Sequence, residues 1–228
     1  LFFLYLLKKI MRLIYIFLIL LPFSGTSQSI NLTDNNGMKQ GIWQKKYNNG
    51  NIRYEGEFKD NKEVGLFRYF YEDGSLKLEK KFFHNGTAAS AHFYYKNGDL
   101  KSSGLYVNGL KDSIWNYYDF DSALIMSEQY KNGKLNGITK TFYNEGSVYE
   151  LKNWSNNILH GFWKQFYING TLKMKSFYKN SKREGEEFYY YPNGNILSSG
   201  FYKNNIKIGV WQYYNEDGTN DTIIKYNE

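Results

Sequence analysis

A strict 24-residue period constrains this chain more than any other feature. A unit of glycine, one residue, an aromatic in four of six copies, then more aromatics and a closing glycine after Asn, Asp or Glu begins at Gly41, Gly65, Gly137, Gly161, Gly185 and Gly209. Two degenerate copies, beginning at Ala89 and Ser113, fill the gap in phase. Eight copies without an insertion define a repeat array, in which each unit packs on its neighbours. With positions counted from the first residue of each unit, position 10 is glycine in seven copies and Ser122 in the other. Position 18 is aromatic in all eight, from Phe58 to Tyr226, and position 12 is aliphatic in seven, from Ile52 to Ile196. Short aromatic and β-branched segments between Asn- and Gly-rich turns read as strands. The expected fold is therefore all-β: an elongated single antiparallel meander sheet of eight 24-residue hairpins, with no helix after residue 27.

A two-residue turn at positions 9 and 10, with both residues at positive φ, predicts that position 7 pairs with 12, 5 with 14, 3 with 16 and 1 with 18. Residues paired this way share a face. One face then collects glycine 1, tryptophan 3, aromatic 5, aliphatic 12 and aromatic 18, and the other carries the polar positions 4, 11, 13 and 15. A second Asn-rich turn at positions 19–22, as in Lys131-Asn132-Gly133-Lys134, leads into the next unit. This register predicts that position 3 lies opposite position 14 of the preceding unit, so that Trp115 faces Ser102 and Trp211 faces Ser198. Large side chains against small ones are what close packing demands. A single-layer sheet leaves apolar area to cover, by dimerisation or by curling of the sheet on itself.

The first 27 residues have another character. From Met11 the chain carries a basic Arg12, an apolar run Leu13 to Leu21, Pro22, and the small residues Gly25, Thr26 and Ser27. That is the pattern of a cleaved export signal, with residues 1–10 as upstream read-through; a retained anchor is the alternative, with a run from Leu13 that is short for a span. The expected location is the periplasm, the outer membrane surface or the extracellular space. Residues 28–40 read as half a unit. Loss of Lys8, Lys9 and Arg12 lowers the net charge from +7 to +4, which is no nucleic-acid footprint. The absence of cysteine excludes disulfides, thiol catalysis and cysteine zinc sites.

No catalytic or cofactor motif interrupts the repeat. His84, His92 and His160 occupy unrelated positions without metal-ligand spacing. The acidic turns at Asp119 to Asp121 and Asp217 to Asp221 read as polar turn tips, with weak calcium binding as the alternative. The candidate binding feature is position 6, aromatic in seven copies: Phe70, Tyr94, Tyr118, Phe142, Phe166, Tyr190 and Tyr214. The register sets these rings on the polar face, one every ~9–10 Å, with Lys77, Lys101 and Lys173 opposite Phe70, Tyr94 and Phe166. Exposed aromatics among polar groups mark an interaction surface. The alternatives are that lysine stems cover the rings and simply stabilise the sheet, or that a bulge near position 4 turns the row inward.

Gly41-x-Trp43, Gly161-Phe162-Trp163 followed by Phe166-Tyr167-x-Asn169-Gly170, and the closing Tyr130 to Gly133 resemble the MORN-repeat variant found in bacteria. The resemblance spans residues 38–228, with departures at Ala89, Ala91, Ser113 and Ser122. Proteins of this type include YwqK-family antitoxins, and MORN repeats are associated with membrane attachment, phospholipid contact and protein scaffolding. The resemblance implies no catalytic residues and no cofactor. The expected function is an exported, non-catalytic scaffold for a protein partner, with homodimerisation as one way to cover the sheet. The alternatives are a polysaccharide or anionic membrane surface lying along the aromatic and lysine row, and an antitoxin or immunity protein.

Overall fold

The computed structural model describes residues 29–227, so the expected leader over residues 1–27 lies outside the described residues. The array, Asn31–Glu228, forms a unit of its own. Among the described residues there is no helix. The described residues form nineteen strands in one open sheet. Adjacent strands run antiparallel in chain order, from Leu32–Thr33 on Lys39–Lys46 at one end to Ile206–Tyr214 on Asn220–Tyr226 at the other. The expected all-β meander of hairpin repeats is the observed architecture.

Three of the four expected pairs form in the first copy, Gly41 with Phe58, Trp43 with Gly56 and Lys45 with Tyr54, while the expected pair of position 7 with 12 does not. The turn that sets them differs from the expectation. Tyr47 N–H donates to the Asn51 carbonyl and Gly50 N–H to the Tyr47 carbonyl. That is a three-residue loop whose last residue alone takes positive φ, 88° at Gly50. Position 9 stays at negative φ; its side chain instead accepts the N–H two residues on, as Asn49 does from Asn51 and Asp73 from Ser75. The longer loop would slip the register by one residue, but position 13 bulges out of the return strand and restores it. Position 6 therefore pairs with 12, as Phe70 does with Leu76, and the aliphatic row leaves the tryptophan face for the opposite one.

The two-residue turns with both residues at positive φ occur between units. Asp60-Asn61, Asn108-Gly109, Asn132-Gly133, Asn156-Asn157, Asn180-Ser181 and Asn204-Asn205 all have φ between 49° and 77° at both residues, the geometry that Asn and Gly tolerate. Beyond these turns lies a second correction. Ser102 pairs with Tyr117, and Ser113 to Trp115 bulge opposite the single residue Gly104. Trp115 thus packs on position 16 of the preceding unit, not on position 14. The pairing of size follows that column: Phe67 meets Gly56, Trp115 meets Gly104, and Trp211 meets Gly200. Small Ala91 instead faces Lys80.

This bulge explains glycine 1, whose φ is positive at Gly41, Gly65, Gly137, Gly161, Gly185 and Gly209 and at the substituted Ser113. It also explains the most degenerate copy. Around Ala89 and Ala91 the ladder is continuous from Phe83–Ala88 to Leu78–Phe93, without a bulge. The turn there grows to four residues, His84 to Thr87, so the unit keeps its length. With no bulge there is no left-handed residue to place, and alanine suffices at position 1.

The tryptophan face covers itself. Phe67, Ala91, Trp115 and Trp211 are 0–1% exposed although no second layer lies over them. Each large ring lies flat across the sheet, edge-on to the position 18 aromatic, as Trp115 is to Tyr106 at 4.9 Å. Lysine ammonium groups then cap the rings: Lys39 on Trp43, Lys111 on Trp115, Lys152 on Trp163 and Lys207 on Trp211, at 3.9 to 4.8 Å from the ring centres. Burial lowers the pKa of Lys111. Buried Glu150 accepts the indole N–H of Trp163 at 2.7 Å and an ion pair from Lys152 at 2.6 Å, which gives a carboxylate its place in this layer.

Candidate interaction face

The face opposite the tryptophans is the candidate site. Position 6 rings stand on it half-buried, six of the seven paired with an aliphatic position 12 and Tyr214 with Asn220. The lysines expected beside them do not. Lys77, Lys101 and Lys173 are the bulged residues, and their ammonium groups lie over Tyr71, Tyr95 and Tyr167, on the tryptophan face, at 5.4 to 5.5 Å. The structure thus brings Phe70, Tyr94, Tyr118, Phe142, Phe166, Tyr190 and Tyr214 into one row but separates that row from its three expected cations.

Those position 7 tyrosines form a ladder of their own. Each phenol donates to the position 6 carbonyl of the next unit: Tyr47 to Phe70, Tyr71 to Tyr94, Tyr95 to Tyr118, Tyr143 to Phe166, Tyr167 to Tyr190 and Tyr191 to Tyr214, at 2.7 to 2.9 Å. The ladder skips one junction, where Asp119 replaces tyrosine and uses its carboxylate on Asp121 and Ala123 N–H. Unit-to-unit hydrogen bonds along one edge hold the outward carbonyls of position 6 in place.

A further apolar row went unassigned in the sequence reading. Position 2 lies between two tryptophan-face positions, so it points to the opposite face. It carries Leu66, Ile114, Phe162 and Val210 with 38–52% of their surface exposed, and Ile42 and Ile138 half-buried. Strand parity together with apolar residues in six of eight copies was the signal.

Between these apolar rows runs a polar one. Positions 4 and 15 pair both within and between units, so one cross-strand line passes unbroken from Gln44 through Asn116 to Ile223. Its charge is zoned. Arg68 sits between Glu55 and Glu79, at 3.8 and 3.2 Å. His92, Ser103, Asn116 and Ser127 follow, and then Lys140, Leu151, Lys164 and Lys175. Among the described residues none of these three lysines has a carboxylate in ion-pair range. Lys164 and Lys175 are direct cross-strand partners. Their ammonium groups lie 5.6 and 5.2 Å from the ring centre of Phe162. Next in line, Phe188 borders a hollow of about 290 Å³ with Phe201 and Val210 on its wall and Glu186 on its rim. Among the described residues no group of three or more His, Asp or Glu side chains is arranged to hold a metal.

These features define a hairpin-repeat scaffold: a self-covered aromatic face, two edges of hydrogen-bonded turns and one face left open. Residues 39–60, 63–85, 159–180 and 183–204 match the family model described as MORN repeat variant, which supports a MORN-repeat protein. No curated protein matches the chain. Among solved structures, the crystal structure of TarM aligns at 14% identity and a TM-score of 0.27 over 52% of this chain, which spans 19% of the TarM chain.

Proposed function

We propose that the chain is an exported, non-catalytic scaffold that binds a protein partner on the face opposite its tryptophans. The observation that carries this reading is the exposed position 2 row beside an unbroken, charge-zoned polar line. Apolar side chains rimmed by polar groups are how protein interfaces are composed, whereas on the tryptophan face lysine ammonium groups already lie over Trp43, Trp115, Trp163 and Trp211. A polysaccharide or anionic lipid along the position 6 rings loses support, because the lysines that would accompany the rings lie on the other face. An antitoxin would use the same open face, with a toxin as its partner.

Two measurements test the reading. Expressed from Met11 in a bacterium, the chain is expected outside the cytoplasm with its N-terminus near Gln28 by mass spectrometry. A cytoplasmic chain retaining Arg12 would end the export proposal. A photo-crosslinking residue at Ile114 or Phe162 is expected to capture a discrete protein, and the same residue at Lys77 is not. Equal capture from Lys77 would remove the assignment of the face.

A further inference from the structure

We infer that the open face around Lys164 and Lys175 docks an acidic segment of the partner, with its carboxylates on the lysine pair and an apolar side chain in the hollow bounded by Phe188, Phe201 and Val210. The inference rests on the protein-scaffold reading and gives the partner its chemistry. Like charges directly opposite each other in a sheet destabilise it. Elsewhere on this polar line the fold neutralises its charges, as Arg68 does between Glu55 and Glu79. At Lys164–Lys175 it does not, and Lys140 extends the uncompensated charge in the same line. Within the fold these ammonium groups meet the Phe162 ring, and Lys175 also the Phe188 ring at 6.0 Å; an anion placed over the pair removes their mutual repulsion and gains charge-assisted hydrogen bonds.

The neighbouring hollow selects a peptide over other anions. Lys175 pairs with Phe188, and Phe188 with Ser199, which also lines the hollow, two strand spacings or about 10 Å away. An extended chain covers that distance in about three residues. A segment with an acidic residue three places from an apolar one satisfies both sites. Glu186 at the rim repels a carboxylate from the hollow itself, so it enforces this orientation. A sugar polymer would need the Phe162 ring face for stacking, and the lysine ammonium groups lie close to that ring.

The test uses residues 28–228 and fluorescence anisotropy with a labelled peptide, acetyl-Glu-Glu-Ser-Gly-Phe-amide, beside its Lys-Lys counterpart, phosphatidylglycerol vesicles and polygalacturonate. The acidic peptide is expected to bind with salt-sensitive affinity and the lysine peptide not to bind. K164E with K175E, or V210D alone, is expected to weaken binding about tenfold or more, and K77E with K101E to leave it unchanged. Lys164→Glu should raise the melting temperature by relieving repulsion, which separates lost binding from lost fold. No binding of the acidic peptide, binding indifferent to K164E with K175E, or these lysines capturing only vesicles or polygalacturonate would each overturn the inference. If the peptide fails while Phe162 still crosslinks a protein, the scaffold reading stands and its acidic chemistry falls; failure of both removes both.

Discussion

The indole of Trp115 occupies the space a side chain would take at Gly104, one unit earlier in the chain; a Cβ at residue 104 would sit against the ring carbons. Gly104 has no positive φ, so its lack of a side chain serves only this contact. Trp211 over Gly200 and Phe67 over Gly56 repeat the arrangement. Gly104→Ala should therefore cost about 1–3 kcal/mol through overpacking. With Trp115→Ala already in place, the same change should cost close to nothing. Urea unfolding of the two single variants and the double variant measures that coupling.

Position 10 carries the left-handed residue of every intra-unit loop, and Ser122 adopts it at φ 62° where the other copies have glycine. Ser122→Gly is expected to stabilise the chain by about 0.5–1 kcal/mol. Gly146→Ala, at φ 89° with open space around the added methyl, should destabilise by about 1 kcal/mol from backbone strain alone. Opposite shifts of the denaturation midpoint check both.

The tyrosine ladder makes a local claim. Removing one phenol oxygen, as in Tyr167→Phe, leaves the Tyr190 carbonyl without that donor and should cost about 0.5–1.5 kcal/mol. The junction after Asp119 lacks the rung altogether. Amide exchange is expected to be fastest at the loop of residues 119–123 among the intra-unit loops, and Tyr95→Phe should extend fast exchange to the loop before it.

Alkaline pH should unfold the array by a route set by buried phenols. Burial, reinforced by the Glu128 carboxylate that accepts its hydrogen bond, pushes the Tyr130 pKa from 10.0 up to about 12. Tyr69, Tyr117 and Tyr189 move in the same direction, first through burial and then through neighbouring carboxylates. The unfolded chain loses these protons first, so stability holds below pH 10 and falls as pH rises toward the folded values. Phenolate absorbance should show a late-titrating class in the native protein that reverts to ordinary titration in urea. Tyr130→Phe should flatten the stability loss between pH 10 and 12.

Much of this fold is legible in the repeat. The aromatic at position 18 and the glycines at 1 and 10 locate every hairpin, and the pairs 1–18, 3–16 and 5–14 follow from counting. The count succeeded through two offsetting departures: the loop holds three residues rather than two, and position 13 bulges out. Asn-Gly reads alike for either turn, since glycine satisfies both. Which residue takes positive φ is settled by where the Tyr47 and Gly50 amides find acceptors. The position 6 row was visible because ring identity repeats. Its lysines were misplaced because a bulge moves a side chain to the other face without changing the spacing.

The amino-acid sequence by itself determined the period, the strand and turn content, and the glycine and aromatic columns, because each follows from local backbone preference and side-chain size repeated in phase. Tertiary structure decided which glycines receive the rings of Phe67, Trp115 and Trp211, where Lys77, Lys101 and Lys173 point, and that Lys140, Lys164 and Lys175 fall in one line with no carboxylate in ion-pair range among the described residues. Those facts depend on hydrogen-bond register between strands of different units, where a shift of one residue exchanges the faces.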